Sequence, residues 1–215
     1  MLKEILKNIW VINSNSFDNN AYIIVKNNTC VVIDPSSYDH EISKFIDEKK
    51  LKLSAIVLTH AHFDHYGIAN DIARKYGCKI YVYKDEKPTF DMLNIAEEAN
   101  FKVSDLDWNN IEFFDKTNLS FNGINLKVII TPGHTVGGIT LEYNNVFFTG
   151  DTLFVDSVGR TDFPGGDMQT LMDSIFKLTR VMNDNDYMLC GHGKEYPQFK
   201  VVKQINPYVQ QALNR

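Results

Sequence analysis

One stretch of seven residues, Thr59-His-Ala-His-Phe-Asp-His65, constrains this chain more than any other. Four of its side chains can bind metal ions, and it holds three of the chain's six histidines. An apolar run, 55–58, precedes it and a helix-like segment, 66–75, follows it. The pattern therefore predicts a strand, then a loop that presents ligands, then a helix.

The ligand types in this loop favour particular metals. Neutral imidazole and carboxylate groups suit zinc, and they also suit iron and manganese. His60 and His62 alternate, which in extended backbone places both rings on the same side. Asp64 and His65 stand at the predicted helix start, where the chain has turned toward a second point. We therefore expect the loop to serve two neighbouring metal ions.

Length and composition restrict the class of protein. The chain has 215 residues, which allows one domain or two small ones, and its net charge of −5 argues against a nucleic-acid-binding surface. The three cysteines are far apart and odd in number, which favours a reducing cytosol over a disulfide framework. No apolar stretch approaches the roughly 20 residues that span a membrane, and the N-terminus lacks a signal-peptide pattern. We expect a cytoplasmic protein whose partners include neither membrane nor nucleic acid.

The rest of the chain shows alternating strand and helix patterns, typical of an α/β layer arrangement. Strands are predicted at 22–25, 30–33, 55–58, 80–83, 126–130, 139–143, 146–148 and 187–189, and helices at 41–50 and 168–182. Asp167 is the expected cap of the last helix, and the helix after the metal loop is expected to end near Gly77. His40 is interpreted as a surface residue. Residues 2–12 fit either a helix or a strand, and residues 84–123 fit either a cover over a site or a connecting excursion.

Three further candidate ligands stand in the same kind of place as His60. His134, Asp151 and His192 each follow an apolar run and lie in a corner rich in glycine or turn residues. Strand ends at one edge of a sandwich would bring these corners together, and glycine lets the backbone approach a metal closely.

In order and rough spacing, these residues resemble the metallo-β-lactamase superfamily. The match comprises His60-x-His62-x-Asp64-His65, Gly133-His134, Asp151 and Gly191-His192, within a stretch from about Asn20 to Pro207. The resemblance implies an α/β fold, an αββα sandwich with a binuclear site at one edge of the sheets. It also implies the ligand set: one metal takes His60, His62 and His134, the second takes Asp64, His65 and His192, and Asp151 bridges them.

A finer resemblance is to the glyoxalase II-like hydrolases. The matching stretches are Thr149-Gly-Asp-Thr-Leu-Phe154, Gly159-Arg-Thr-Asp-Phe-Pro-Gly-Gly-Asp167, Thr131-Pro-Gly-His-Thr135 and Asn206-Pro207. Only 23 residues, 193–215, follow His192. We therefore expect one domain over residues 1–215, without the helical C-terminal domain that helps the longer enzymes bind glutathione. The implied activity is hydrolysis of a small-molecule thioester such as S-lactoylglutathione.

The mechanism implied by the resemblance uses two divalent metal ions, with zinc preferred over iron or manganese. A shared water becomes hydroxide near neutral pH, because zinc-bound water has a pKa of about 7, and this hydroxide attacks the thioester carbonyl. Asp64 would bind its metal and orient the hydroxide, which makes it the candidate catalytic residue. Arg160, Lys194 and Tyr196 are candidate substrate contacts, and an internal salt bridge to Asp162 is an equally good interpretation of Arg160. Cys190 is interpreted as a small buried residue.

Three other functions compete with this interpretation. A persulfide dioxygenase of the same fold would use a single iron held by His60, His134 and Asp151. Phe163 fits either enzyme, whereas Pro164-Gly-Gly166 favours the hydrolases. A nuclease of the superfamily is disfavoured by the acidic net charge, and a non-catalytic metal-binding protein is disfavoured by the complete ligand set.

Overall fold

Two β-sheets that pack face to face form the centre of the protein. The structure is a computed structural model that describes residues 2–13, 17–36, 39–98 and 100–215. In these ranges a seven-stranded sheet and a five-stranded sheet enclose an apolar core, and each sheet carries helices on its outer face. The αββα sandwich predicted from the sequence is confirmed.

The first sheet contains its seven strands in sequence order. They are β1 (Lys3–Leu6), β2 (Ile9–Asn13), β3 (Asn20–Lys26), β4 (Thr29–Ile33), β5 (Lys52–Val57), β6 (Ile80–Tyr83) and β7 (Ile111–Phe114). Strands β1 to β4 are antiparallel neighbours, and β4 to β7 are parallel neighbours. The parallel strands need crossovers. These contain α1 (Asp39–Glu48), α2 (Phe63–Tyr66), α3 (Ala69–Tyr76) and α4 (Leu93–Glu98), with 3-10 segments at Lys84–Met92 and Trp108–Asn110.

The second sheet has the order β12-β11-β10-β9-β8. Its strands are β8 (Asn118–Phe121), β9 (Ile124–Ile130), β10 (Ile139–Tyr143), β11 (Val146–Gly150) and β12 (Tyr187–Cys190). Strands β8 to β11 are antiparallel neighbours, whereas β12 joins β11 in parallel after the crossover through α5 (Met168–Val181). Helices α6 (Phe199–Ile205) and α7 (Pro207–Leu213) end the chain.

Alternating side chains along the strands divide the core into layers. In β3, Tyr22 and Ile24 face the second sheet, and Ile23 faces the helices of the first. In β11, Phe148 faces inward and Phe147 packs on the helical side. Helix α1 buries Ile42, Phe45 and Ile46 against the first sheet. The Asp167 side chain accepts a hydrogen bond from Thr170 N and caps α5 as predicted.

The helix predicted at 66–75 differs from the observed structure, because two short helices, α2 and α3, replace it. At the break, Gly67 O accepts from Ser104 N (2.6 Å) and Ile68 N donates to Pro35 O (3.2 Å). These bonds to neighbouring loops replace bonds within a helix. Helix α3 ends before Gly77, as predicted.

The N-terminal residues form strands β1 and β2, which decides between the two interpretations of that segment. The segment 84–123, whose sequence pattern is weak, contains α4, β7 and β8. His40 is exposed on α1, as predicted. None of the helices in the described ranges has the length and apolar character needed to cross a bilayer.

Candidate metal centre

The loops that follow four strands bring the predicted ligands together at one edge of the sandwich. The loop after β5 carries His60 and His62, the adjoining helix α2 carries Asp64 and His65, and the loops after β9, β11 and β12 carry His134, Asp151 and His192. Among the described residues, three groups have potential ligand atoms within 4.8 Å of one another; they are His60, His62, His134, then Asp64, His65, His192, and then Asp34, His60, His65. We call the first the three-histidine group and the second the Asp64 group.

Asp151 lies between the two groups. Its Oδ2 is 3.5 Å from His134 Nε2 and 3.2 Å from His192 Nε2, and its Oδ1 is 3.4 Å from His65 Nε2. One carboxylate therefore faces histidines of both groups, while its bridging of two metal ions stays what the resemblance implies. Whether these seven residues bind metal stays a prediction.

Hydrogen bonds at Nδ1 determine which ring nitrogen of four histidines faces the centre. His134 Nδ1 lies 2.7 Å from Arg160 O and His192 Nδ1 lies 2.7 Å from Phe17 O. A carbonyl oxygen can only accept, so both Nδ1 atoms carry the proton. In the neutral ring Nε2 is then the unprotonated nitrogen and the potential ligand, which is the usual way in which an outer partner orients a metal-binding histidine.

Asp34 gives His60 and His65 the same orientation. Thr59 Oγ1 donates to Asp34 Oδ2 (2.6 Å), so the hydroxyl oxygen can accept from His60 Nδ1 at 3.1 Å. His65 Nδ1 donates directly to Asp34 Oδ2 (3.0 Å). Asp34 is 2% exposed, and its Oδ1 also accepts from Thr59 N (2.7 Å). Asp34 thus orients the rings of His60 and His65 through their Nδ1 atoms.

The cluster fits divalent metal ions on its own chemistry. The Nε2 atoms of His60, His62 and His134 are buried and have no hydrogen-bond partner. Leaving buried polar atoms without a partner costs about 1–3 kcal/mol each. A cation bound between these rings would give the nitrogens a partner, and imidazole with carboxylate is a donor set for zinc, iron or manganese.

The two groups differ in their electrostatics. Burial lowers the pKa of His60 well below its ordinary value and lowers the pKa of His62 to about 3. Burial acts the same way on His65 and His192, but the Asp151 and Asp64 carboxylates outweigh it and raise the pKa of both rings. Burial would raise the pKa of Asp151, but His192 and His65 outweigh it and lower that pKa well below the usual range.

A cavity of about 500 Å³ opens above the cluster. Its walls include Asp64, Asp151 and three of the cluster histidines, together with Arg160 and the rings of Phe17, Phe63, Phe154 and Phe163. The Phe163 ring centre lies 5.8 Å from that of His62, and the Phe154 ring centre lies 5.8 Å from that of His192. Aromatic rings therefore flank both groups.

The three candidate substrate contacts lie in different surroundings. Arg160 lines the cavity, but it makes a two-pronged salt bridge to Asp162 (2.6 Å for both bonds) and stacks 3.8 Å above the Phe163 ring. Lys194 is exposed beside His192 and pairs with Asp18 at 3.4 Å. Tyr196 is half-buried, and its OH lies 3.2 Å from Asn13 Nδ2; it does not line the described cavity. Cys190 is buried as predicted, and burial raises its pKa to about 12.

Sequence reasoning missed two buried carboxylates, Asp34 and Glu86. Asp34 follows strand β4 directly, in the same strand-end position as the ligands, and this position was the one available signal. Glu86 lies in the segment with the least readable pattern, and it hydrogen-bonds to residues on both sides of the cluster.

An αββα sandwich with a histidine and aspartate cluster at one sheet edge defines a metallohydrolase-type protein. The model of the metallo-beta-lactamase superfamily matches residues 15–192 of this chain, so the chain belongs to that superfamily. The family predicted from the motifs is confirmed.

Two curated relatives match most of the chain. The hydroxyacylglutathione hydrolase GloC of Haemophilus influenzae is 33% identical over 212 residues, which cover 94% of this chain and 98% of the relative. The probable metallo-hydrolase YqgX of Bacillus subtilis is 32% identical over 187 residues, which cover 82% of this chain and 85% of the relative.

Two solved structures are also similar. BLEG-1, a B3 metallo-beta-lactamase, superimposes with a TM-score of 0.85 at 25% identity and covers 94% of this chain and 99% of its own. TTHA1623 in a di-iron-bound form gives a TM-score of 0.81 at 25% identity, with coverage of 92% and 98%. The fold thus occurs in proteins whose names differ in activity.

Proposed function

We propose that the protein is a binuclear metal-dependent hydrolase that cleaves a small-molecule thioester such as S-lactoylglutathione. The observation that carries the proposal is the pair of ligand groups that share Asp151. A single ion would use only part of this set. The hydroxyacylglutathione hydrolase GloC, similar over nearly its whole length, supports the substrate class.

In this proposal His60, His62 and His134 hold one ion, and Asp64, His65 and His192 hold the other. When bound, divalent ions in such sites lower the pKa of a water to about 7 and polarise a carbonyl oxygen. Zinc is the proposed metal, and iron and manganese suit the same donors. The di-iron form of TTHA1623 makes iron the first metal to compare with zinc.

Several residues of this chain would orient the attacking water or pack against the substrate. Asn19 Nδ2 donates to Asp64 Oδ2 (2.7 Å) and holds that carboxylate at the wall of the cavity. From there Asp64 would accept a hydrogen bond from the attacking water and orient it. The four phenylalanine rings would pack against apolar parts of the substrate and exclude bulk water.

Arg160 remains the candidate for a substrate carboxylate, although Asp162 already neutralises its charge. Lys194 and Tyr196 stay weaker candidates because neither lines the described cavity. The proposal includes a cytoplasmic location, which the unpaired, buried cysteines support, and a small molecule rather than nucleic acid or membrane as the partner.

The test is hydrolysis of S-lactoylglutathione by purified protein of measured metal content. We expect turnover with about two metal ions per chain. His62→Ala should abolish it, and the control His40→Ala, at an exposed position on α1, should keep it. A fully metallated protein without turnover would contradict the substrate assignment.

The same preparation tests the competing oxygenase. One iron per chain, together with oxygen consumption on glutathione persulfide, would favour a persulfide dioxygenase that uses His60, His134 and Asp151. Oxygen uptake and thioester hydrolysis are measured independently, so the two functions can be separated in one experiment.

A further inference from the structure

Glu86 is a fully buried carboxylate (0% exposed) that lies outside the predicted ligand set. It belongs to the 3-10 segment that follows β6 directly. Its Oε2 accepts from Ala61 N (2.7 Å), and its Oε1 accepts from Gly137 N (2.8 Å) and Thr135 Oγ1 (2.5 Å). A buried carboxylate is tolerated when hydrogen bonds replace its water, as they do here.

The donors to Glu86 come from both sheets. Ala61 lies between His60 and His62 in the loop after β5, whereas Thr135 follows His134 in the loop after β9. One side chain therefore connects the two loops that supply the whole three-histidine group. It contacts neither loop through a ligand residue.

The backbones are also in tight contact at this point. A Cβ on Gly137 would lie 2.5 Å from Glu86 N and 2.6 Å from Asp85 C, so only glycine fits. The segment that carries Glu86 is thus packed directly against the backbone of the loop after β9.

We infer that Glu86 is a positioning residue that sets the spacing between the His60–His62 loop and the His134 loop, and so holds the three-histidine group ready for its metal. Among the described contacts, no residue of the Asp64 group donates a hydrogen bond to Glu86. Its metal should therefore depend far less on this residue. The inference rests on the metal centre of the proposed function but not on its substrate, so it stands or falls separately from the hydrolysis assay.

Glu86→Gln is the sharpest substitution because it keeps the size of the side chain. Both carboxylate oxygens accept a backbone N–H. In either orientation the amide NH₂ of glutamine would face one of these donors, so one contact becomes donor against donor. The matched control is Glu97→Gln, the same change at an exposed position on α4.

The experiment titrates the metal-free proteins with Zn²⁺ against a chromophoric chelator and resolves two binding steps. For Glu86→Gln we expect one step to weaken about 10- to 100-fold, the range for lost outer partners of metal ligands, and the other to stay within about threefold. His62→Ala identifies the step that belongs to the three-histidine group. Equal weakening of both steps, or no change in either, would overturn the inference.

A second pair of variants serves if Glu86→Gln does not fold. Thr135→Val removes one donor to Glu86, and Thr135→Ser keeps a hydroxyl in the same place. The valine variant should weaken the same binding step and the serine variant should restore it, with thermal unfolding of the metal-free proteins recorded alongside. If valine and serine behave alike, the hydrogen bond has no positioning role.

Discussion

At the scale of single residues, ring nitrogens of the Asp64 group lie close to carboxylate oxygens. His192 Nε2 lies 3.2 Å from Asp151 Oδ2 and 3.5 Å from Asp64 Oδ2, and His65 Nε2 lies 3.4 Å from Asp151 Oδ1. Such contacts between ring nitrogens and carboxylates favour a proton on Nε2. A metal ion that enters the Asp64 group must therefore displace it.

The opposite pKa shifts of histidines in the two groups predict how metal affinity depends on pH. The pKa values of His65 and His192 are raised, so both rings bind protons more tightly than usual, and metal binding to the Asp64 group should strengthen as pH rises. The pKa values of His60 and His62 are lowered, so these two rings are neutral near pH 7 and should add little to the pH dependence of metal binding between about pH 6 and 8.

The measurement is a two-step Zn²⁺ titration at several pH values, with proton release followed in weak buffer. One step should release more protons near neutral pH than the other. Equal pH slopes for the two steps would contradict the prediction.

At the scale of secondary-structure elements, Asn206 joins the C-terminal helices to the loop after β11. Its Oδ1 accepts from Tyr208 N and Val209 N and caps α7, and its Nδ2 donates to Phe154 O (3.0 Å) and Ser157 O (2.9 Å). The side chain is fully buried. It therefore fixes the loop that carries Phe154 into the wall of the cavity.

Asn206→Ala should lower the free energy of unfolding by about 1–3 kcal/mol, because it removes a helix cap and takes one donor from each of two part-buried carbonyl oxygens. Urea unfolding of the metal-free protein measures the change. Asn214→Ala, at an exposed position after α7, is the control and should change stability by less than about 0.5 kcal/mol. A loss no greater than that of the control would show that the bonds of Asn206 contribute little.

Elements that depend on local sequence patterns were predicted, whereas features that depend on contacts between distant residues were missed. Strands such as β3 and β9 and helix α5 were predicted because alternation, periodicity and capping are local patterns. The ligand loops were predicted because each lies directly after such a strand. The break between α2 and α3 was missed because its cause is bonding to Pro35 and Ser104, which no local pattern reports.

The outer partners of the cluster show the same limit. Glu86 bonds to positions 25 and 51 residues away, and Asp34 bonds to positions 25 and 31 residues away. A carboxylate in a charged segment looks like a surface residue until the fold buries it. Arg160 illustrates the converse: its two proposed roles, cavity wall and partner of Asp162, coexist in the structure.

At the scale of the whole molecule, the apolar core and the metal centre are separate sources of stability. The core between the sheets consists of strand residues such as Ile24, Val57, Leu141 and Phe148, and none of the seven ligands belongs to it. The fold should therefore survive metal removal. Ligands that bind only the folded state stabilise it by about 4 kcal/mol at a thousandfold excess over the dissociation constant.

Chelation should consequently lower the melting temperature by about 10 °C or more while the far-ultraviolet circular dichroism at 25 °C stays unchanged. Calorimetry and dichroism on the same sample check both parts. Readdition of Zn²⁺ should restore the melting temperature, which excludes damage by the chelator. Loss of the dichroism signal at 25 °C would mean that the fold itself depends on metal.

The hydrogen bonds between the start of β3 and the end of β12 join parts of the chain that are made at very different times. Asn20 N donates to Gly191 O (2.8 Å), and Asn20 Nδ2 donates to Cys190 O, 170 residues along the chain. A ribosome releases the N-terminal part of a chain first, so His60, His62 and His134 emerge well before His192. During synthesis, the candidate ligands of the three-histidine group are therefore present before those of the Asp64 group are complete. The order of these residues in the sequence therefore sets the order in which the centre is completed.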